Sequence, residues 1–240
     1  MDNPTPSAPA STAWPRAAGA AAVAGGRTVL VAGASGLVGR AILQGLLADE
    51  SVAAVHALGR RPLGIQHPKL HFRSVDFAAL TSVPNVDEVY LALGTTIKQA
   101  GSQAAFRAVD YDANLAVARA AEAEGAARAG LVSAMGADST SRIFYNRVKG
   151  ELEDALAHLP WRGLVIARPS FLAGDREALG QPVRAGEKLA LRVSRMLRPL
   201  IPADLRSIEA TRVAQSLLRT VPQSSGRQVL LSGRMQELGR

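Results

Sequence analysis

The chain has 240 residues, 48% of them hydrophobic, and no cysteine. That length supports one sizeable core, and the missing thiols exclude a disulfide scaffold and a thiolate site. The formal charge is +8, but residues 181–240 hold eleven Lys and Arg against four Asp and Glu with no aromatic residue among them; that pattern speaks for a solvated basic face and against a base-stacking nucleic-acid surface.

Residues 1–26 are rich in Ala, Pro, Gly and Ser and lack the basic start and dense apolar centre of a signal peptide. They read as a disordered tail. No run of about 18 apolar residues occurs, so no transmembrane helix is expected, and a cytoplasmic location is the corresponding expectation. Histidines 56, 67, 71 and 158 show no metal-ligand spacing.

From residue 27 onward, short apolar runs alternate with helical patterns. Strands are predicted at 27–33, 52–59, 70–77, 86–94, 128–135, 161–169 and 227–233, and helices at 36–49, 102–124, 145–158 and 207–219. Several strands are apolar at nearly every position, as in a parallel sheet covered on both faces. The alternation predicts an α/β, doubly wound parallel sheet with a small C-terminal segment on the substrate side. Residues 27–240 are read as one domain, with 170–225 forming most of the substrate side. Within that segment, Leu189, Val193, Met196, Leu197 and Leu200 form an apolar stripe at helical spacing. Arg192, Arg195 and Arg198 line another face. This gives either a packed helix or flap, or a weak membrane-surface contact through 184–198.

"VLVAGASGLVGRAI" puts Gly33, Gly36 and Gly39 after a strand and at the opening of a helix. Gly33 permits the sharp exit, Gly36 the close approach of a pyrophosphate, and Gly39 the packing of helix on sheet. Ser35, Leu37 and Val38 complete the turn, whose free N–H groups face the anion. The second strand ends in "ALGRRPL", where an NAD site usually has an acid. Arg60 and Arg61 suit a 2′-phosphate, so NADP(H) is expected in preference to NAD(H). Asp76 and Phe77 fall on the adenine side. Leu93, Gly94 and Thr95 fall on the nicotinamide side.

Tyr145 and Lys149 lie four positions apart, on one face of a helix. Arginine outnumbers lysine 24 to 4, so a lysine at 149 points to a need for a compact ammonium. A phenol with an ordinary pKa of about 10 transfers protons near neutrality only when its phenolate is stabilised, and a nearby ammonium does this. Ser133, at the end of the fifth strand, could hold a substrate oxygen.

Together these residues resemble the short-chain dehydrogenase/reductase superfamily over about residues 27–170. "GASGLVG" resembles the glycine motif of its extended and atypical branches, and Ser133, Tyr145 and Lys149 match its Ser, Tyr-x-x-x-Lys set. More narrowly, "GRRPL", "ALGTTIKQAGSQAAFRAVD", "LVSAMGAD" and "FYNRVKGELE" resemble Tat-interacting protein 2-like oxidoreductases. Bacterial relatives of these are often labelled nucleoside-diphosphate-sugar epimerases or NAD(P)-binding proteins. The resemblance implies a Rossmann fold, a small-molecule substrate and, from the superfamily's habit, a homodimer. The implied activity is NADP(H)-dependent hydride transfer to or from a small carbonyl or alcohol. The alternative is a non-catalytic NADPH sensor or scaffold. A sugar-nucleotide epimerase or dehydratase fits less well, because the segment after 170 is short for a large cleft. The superfamily often has an asparagine in the helix after the fourth strand; here "VDYDAN" offers both Asp110 and Asn114.

Overall fold

The computed structural model describes residues 25–173 and 202–239. The strands β1 (Arg27–Ala32), β2 (Val52–Gly59), β3 (Leu70–Ser74), β4 (Glu88–Leu91), β5 (Arg128–Val132) and β6 (Gly163–Arg168) appear where apolar runs predict them. A two-residue ladder joins β7 (Leu172–Ala173) to β8 (Ile208–Glu209), and β9 (Gly226–Leu231) ends the strand set. The main sheet has seven strands in the order β3-β2-β1-β4-β5-β6-β9, every pairing parallel.

Alternation within the central strands explains why they read as continuously apolar. Val29 and Val31 of β1 face one core, and Leu30 and Ala32 face the other. The first core is closed by α1 (Leu37–Ala48) and α6 (Ala210–Thr220). Val38, Ile42 and Leu46 recur every four residues on α1, and Val213, Ala214 and Leu217 line α6. Full burial of each large aliphatic side chain contributes about 1.5–3 kcal/mol. The two helices pack so closely that a Cβ on Gly45 would stand 2.3 Å from Leu218 Cδ1.

The second core is closed by α4 (Asn114–Ala123) and α5 (Phe144–Ala157), through Leu115, Val117, Ala118, Leu152 and Leu156. The predicted helix 102–124 is α3 (Gln103–Arg107), a π-helical turn over Ala108–Ala113, and then α4. Two short helices escaped the sequence: α2 (Ile97–Ala100) and α7 (Ser232–Leu238). They are too short for a periodic signal, and α7 takes over from the predicted end of the last strand. The amphipathic stripe at 189–200 and the basic segment 184–198 lie outside the described residues. Among those described, no helix is long and apolar enough to cross a membrane.

The strand order reverses between β1 and β4. In such sheets this opens a crevice at the carboxyl ends of the strands, where ligands bind. Within the sheet, His56 of β2 stacks on His71 of β3 with ring centroids 5.1 Å apart. Burial, followed by the charge of His71, lowers the pKa of His56 from 6.5 to about 4. Between those two values the unfolded chain takes up a proton that the folded chain refuses. The stabilisation is therefore complete above about pH 6.5 and declines as pH falls towards 4. Urea midpoints measured from pH 7 down to pH 4 should fall more steeply for the natural chain than for His56→Leu. Parallel curves would remove the histidine from the acid response.

Candidate active site

The turn from β1 into α1 is built on backbone contact. Gly33 has φ +91°, and a Cβ there would lie 2.3 Å from Ala92 O; a Cβ on Gly39 would lie 2.1 Å from Gly33 O. At both positions the obstacle is main chain, which cannot swing aside. Gly36 differs: its nearest neighbour would be 3.4 Å away, and its N–H closes the turn on Gly33 O at 2.9 Å. Gly36 also caps α1 with no side-chain acceptor, and the first turn carries no acid. The first N–H groups of this twelve-residue helix therefore stay open to an anion.

Beside the turn runs a groove of about 280 Å³ across the carboxyl ends of β1, β2 and β4. It brings together eight of the residues expected at a dinucleotide: Gly33, Ser35, Gly36, Arg60, Asp76, Phe77, Leu93 and Gly94. Leu37, Val38, Gly39, Arg61, Thr95, Tyr145 and Lys149 are not among its lining residues. Val38 and Gly39 are buried in the first turn of α1, and Leu37 is exposed. The wall also includes Leu58, Gly59, Ala78, Ala92, Ala108, Val109 and Ala113, which sequence reasoning missed. Five of the seven are glycine or alanine, small residues near strand ends and turns that leave no periodic signal. The groove fits a dinucleotide's requirements: a helix N-terminus with no side-chain cap, a glycine floor and small walls.

Lys149 lies behind this groove, buried, with Nζ 2.7 Å from Asp110 Oδ1. Side-chain exposures of 6% and 1% make this a desolvated ion pair. Asp110 Oδ2 accepts the N–H of Thr95 at 2.8 Å. Gly94 passes directly over the pair, since a Cβ there would stand 3.5 Å from Asp110 Oδ1 and 3.9 Å from Lys149 Nζ. Asn114 is wholly buried, and its amide nitrogen donates to Leu93 O, Val109 O and Asp110 O. Three carbonyl partners fix that amide's orientation, and its Oδ1 is left without a partner. Of the two candidates in "VDYDAN", then, Asp110 meets the lysine, and Asn114 ties the π-turn to the end of β4.

Tyr145 is half-buried one turn before Lys149, its ring tilted against Phe106 at 5.5 Å between centroids. The loop after β5 is pressed onto α5 at Gly150, where a Cβ would lie 2.1 Å from Ser139 N. This glycine, next to Lys149 in sequence, lets the loop lie flat on α5.

Ser133 faces elsewhere. Its buried hydroxyl donates to Glu153 Oε1 at 2.5 Å. Glu153, also buried, accepts from Arg168 Nη2 at 2.6 Å and lies 3.6 Å from Arg227 Nη2. The hydrogen bond to Glu153 is the main reason that the Arg168 pKa is raised. The hydroxyl expected to hold a substrate oxygen is thus part of a cluster joining α5 to β6 and β9. A partner twenty residues away in sequence gave no local signal.

Residues 33–195 match the model of a family described as NAD(P)H-binding. Among curated proteins, the chain is similar to "Protein FMP52, mitochondrial" of Coccidioides immitis, 37% identical over 166 residues, 62% of this chain and 68% of that one. The protein of the same name from Eremothecium gossypii is 39% identical over 151 residues, 62% and 67% of the two chains. An oxidoreductase of the short-chain dehydrogenase/reductase family from Burkholderia thailandensis shares the fold, with TM-score 0.62, 18% identity and coverage of 88% and 93%. So does a superfamily member from Agrobacterium tumefaciens with bound NAD, with TM-score 0.61, 15% identity and coverage of 85% and 77%.

Two expectations are corrected. The cytoplasmic location is overturned by relatives described as mitochondrial. Lack of cysteine and of an apolar span does not specify a compartment. The preference for NADP(H) over NAD(H) is overturned by like-folded structures that hold NAD, the Agrobacterium protein and MoeE5 among them. The physical reason lies in Arg60 and Arg61. Both are exposed, and among the described residues no side-chain hydrogen bond or ion pair holds either guanidinium, so no preorganised fork awaits a 2′-phosphate there.

Gly39→Ala should destabilise the chain by about 1–3 kcal/mol or more in chemical denaturation, because its obstacle is backbone. Gly36→Ala should leave the denaturation midpoint unchanged while weakening dinucleotide binding; equal effects of the two would contradict the separate roles. Ser133→Ala should cost about 1–3 kcal/mol by stripping a donor from buried Glu153, and should leave dinucleotide affinity untouched in the same titration.

Proposed function

The chain belongs to the NAD(P)H-binding family, with a Rossmann fold of the short-chain dehydrogenase/reductase type, and from that premise we propose that it is an oxidoreductase acting on a small carbonyl or alcohol. The observation that supports this best is the placing of Lys149. A buried ammonium held at 2.7 Å by Asp110, beneath Gly94 and one turn beyond Tyr145, is costly to keep unless the charge is used. A dinucleotide bound in the groove supplies the hydride donor or acceptor.

The remaining work falls to the chain's own residues. The open N–H groups at the start of α1 and the Gly36 backbone hold the pyrophosphate. Leu93, Gly94 and the π-turn form the wall on the nicotinamide side. Tyr145 gives a proton to the substrate oxygen in reduction and takes it back in oxidation. Phe106 restricts the ring, which limits the entropy lost on reaching the reactive geometry. Lys149 favours the phenolate electrostatically. Ser133 has no part in this scheme. The narrower kinship with Tat-interacting protein 2-like oxidoreductases belongs to the same proposal and rests on the same motifs.

One observation favours a second reading, a dinucleotide-binding sensor without turnover. The hydroxyl that would complete a Ser-Tyr-Lys set is engaged by Glu153. The two readings separate on Tyr145→Phe, assayed for NADH consumption across a panel of small aldehydes and ketones. On the enzymatic reading the variant loses about 100-fold or more in turnover and keeps its affinity for NADH within about twofold. Full turnover in the variant would dismiss the phenol as proton donor. Tight NADH binding with no consumption by the natural chain would favour the sensor.

A further inference from the structure

We propose that Thr95 is the substrate-oxygen ligand that Ser133 is not: its hydroxyl donates a hydrogen bond to the carbonyl oxygen that Tyr145 protonates. This rests on the reading of the site as an oxidoreductase and deepens it by naming a further catalytic residue.

In reduction the carbonyl carbon takes a hydride from the reduced dinucleotide, which is left oxidised. The C=O π pair moves onto oxygen, and Tyr145 delivers the one proton that completes the alcohol. A second donor aimed at that oxygen stabilises the charge that builds there before the proton arrives. Thr95 transfers nothing; it only donates a hydrogen bond.

One short stretch of chain, from Phe106 to Asp110, touches all the groups concerned. Phe106 lies against the Tyr145 ring at 5.5 Å between centroids. Asp110 Oδ1 stands 2.7 Å from Lys149 Nζ, and Oδ2 accepts the Thr95 N–H at 2.8 Å. Thr95 and Tyr145 lie on the same side of that ion pair. Tyr145 is one turn nearer the start of α5, which sits at the carboxyl edge because α5 joins the parallel strands β5 and β6. Thr95 lies past the end of β4, one residue beyond the groove residue Gly94, and so towards the same edge.

Thr95 is half-buried, and its hydroxyl is uncommitted. Among the described residues its contact is Thr96 O at 3.5 Å, outside the usual O–H···O range of about 2.5–3.0 Å. Other hydroxyls near the exits of β4 and β5 are engaged. Thr96 and Ser102 cap α2 and α3 through Gln99 N and Ala105 N, each at 3.1 Å. Thr140 donates to Asp138 Oδ1 at 2.8 Å, and Ser141 accepts Ile143 N at 3.1 Å. Ser139 is pressed onto Gly150, about 7.5 Å further along α5 than Tyr145. Thr95 thus combines a backbone fixed by a buried carboxylate with a hydroxyl that gives up no strong bond when it turns to a ligand, which is preorganisation at low cost.

Thr95→Val keeps the branched shape and the backbone N–H and deletes the hydroxyl; Thr95→Ser keeps the hydroxyl. Three measurements on the full chain separate the roles. They are turnover of NADH with a panel of small aldehydes and ketones, NADH affinity by calorimetry, and affinity of the NADH-loaded chain for isobutyramide. That amide is unreactive, and its oxygen stands in for the oxygen of a carbonyl. Thr95→Val should lower kcat about 100-fold and weaken isobutyramide binding about fivefold. Its NADH affinity should stay within about twofold of the natural chain's. Thr95→Ser should recover kcat to within about fivefold, and Ser133→Ala should leave isobutyramide affinity unchanged.

Turnover in Thr95→Val within about threefold of the natural chain's would overturn the proposal. So would a loss of NADH affinity that matches the loss of turnover, which would make Thr95 a cofactor ligand only. A Thr95→Ser variant no more active than Thr95→Val would also overturn it, because shape and not the hydroxyl would then matter. If the natural chain binds the amide without turning over any panel member, an unchanged amide affinity in Thr95→Val overturns the proposal and a fivefold loss supports it. A natural chain that binds NADH yet neither consumes it nor takes up isobutyramide would overturn the oxidoreductase reading itself, and this proposal with it.

Discussion

The site depends on a contact between two stretches of backbone. Gly39 lies so close to the carbonyl of Gly33 that no side-chain carbon fits between them. That approach sets the direction in which α1 leaves the sheet, and with it the aim of the helix's open N–H groups. The apolar stripe of α1 then lands on the sheet and on α6, so the same contact that shapes an anion site also closes one of the two cores. Binding and folding are linked here through van der Waals exclusion, which leaves glycine alone acceptable at 33 and 39.

On the opposite face of the sheet, two buried carboxylates have different fates. Asp110 meets one ammonium and one backbone N–H behind the groove. Glu153, one turn past Lys149 on α5, is enclosed by a serine hydroxyl and arginine side chains. The first lies beneath Gly94 and borders the crevice. The second is saturated and braces α5 against β6. α5 therefore carries Lys149 and its structural anchor on adjacent turns, and the anchor keeps Tyr145 and Lys149 in register with the sheet.

Much of this was legible in the sequence. The central strands announced themselves because a strand covered on both faces must be apolar throughout, and the glycine turn because Gly33 and Gly39 leave no room for a side chain. One wall of the groove was readable through Asp76 and Phe77. Other features lay beyond the reach of pattern. The direction of the Ser133 hydroxyl depends on Glu153, which meets it only in three dimensions. The role of Asp110 depends on a π-helical turn that leaves no periodic trace in a single helix-like run. Arg60 and Arg61 occupy the expected place, but position alone does not tell a held guanidinium from a free-swinging one. Compartment is not written in the core at all.

The π-turn at Ala108–Ala113 gives the helix pair its phase. An α-helix advances about 100° per residue, so the length of this turn decides which side chain of "VDYDAN" faces Lys149 while Leu115, Val117, Ala118 and Ala121 stay on the sheet. Shortening it by a single residue would leave the core stripe of α4 intact and rotate Asp110 away from its partner. The turn is thus a place where the scaffold's periodicity and the site's periodicity are decoupled. A lineage could retune the electrostatics of the crevice there by a change in chain length alone, with every buried apolar side chain left as it is.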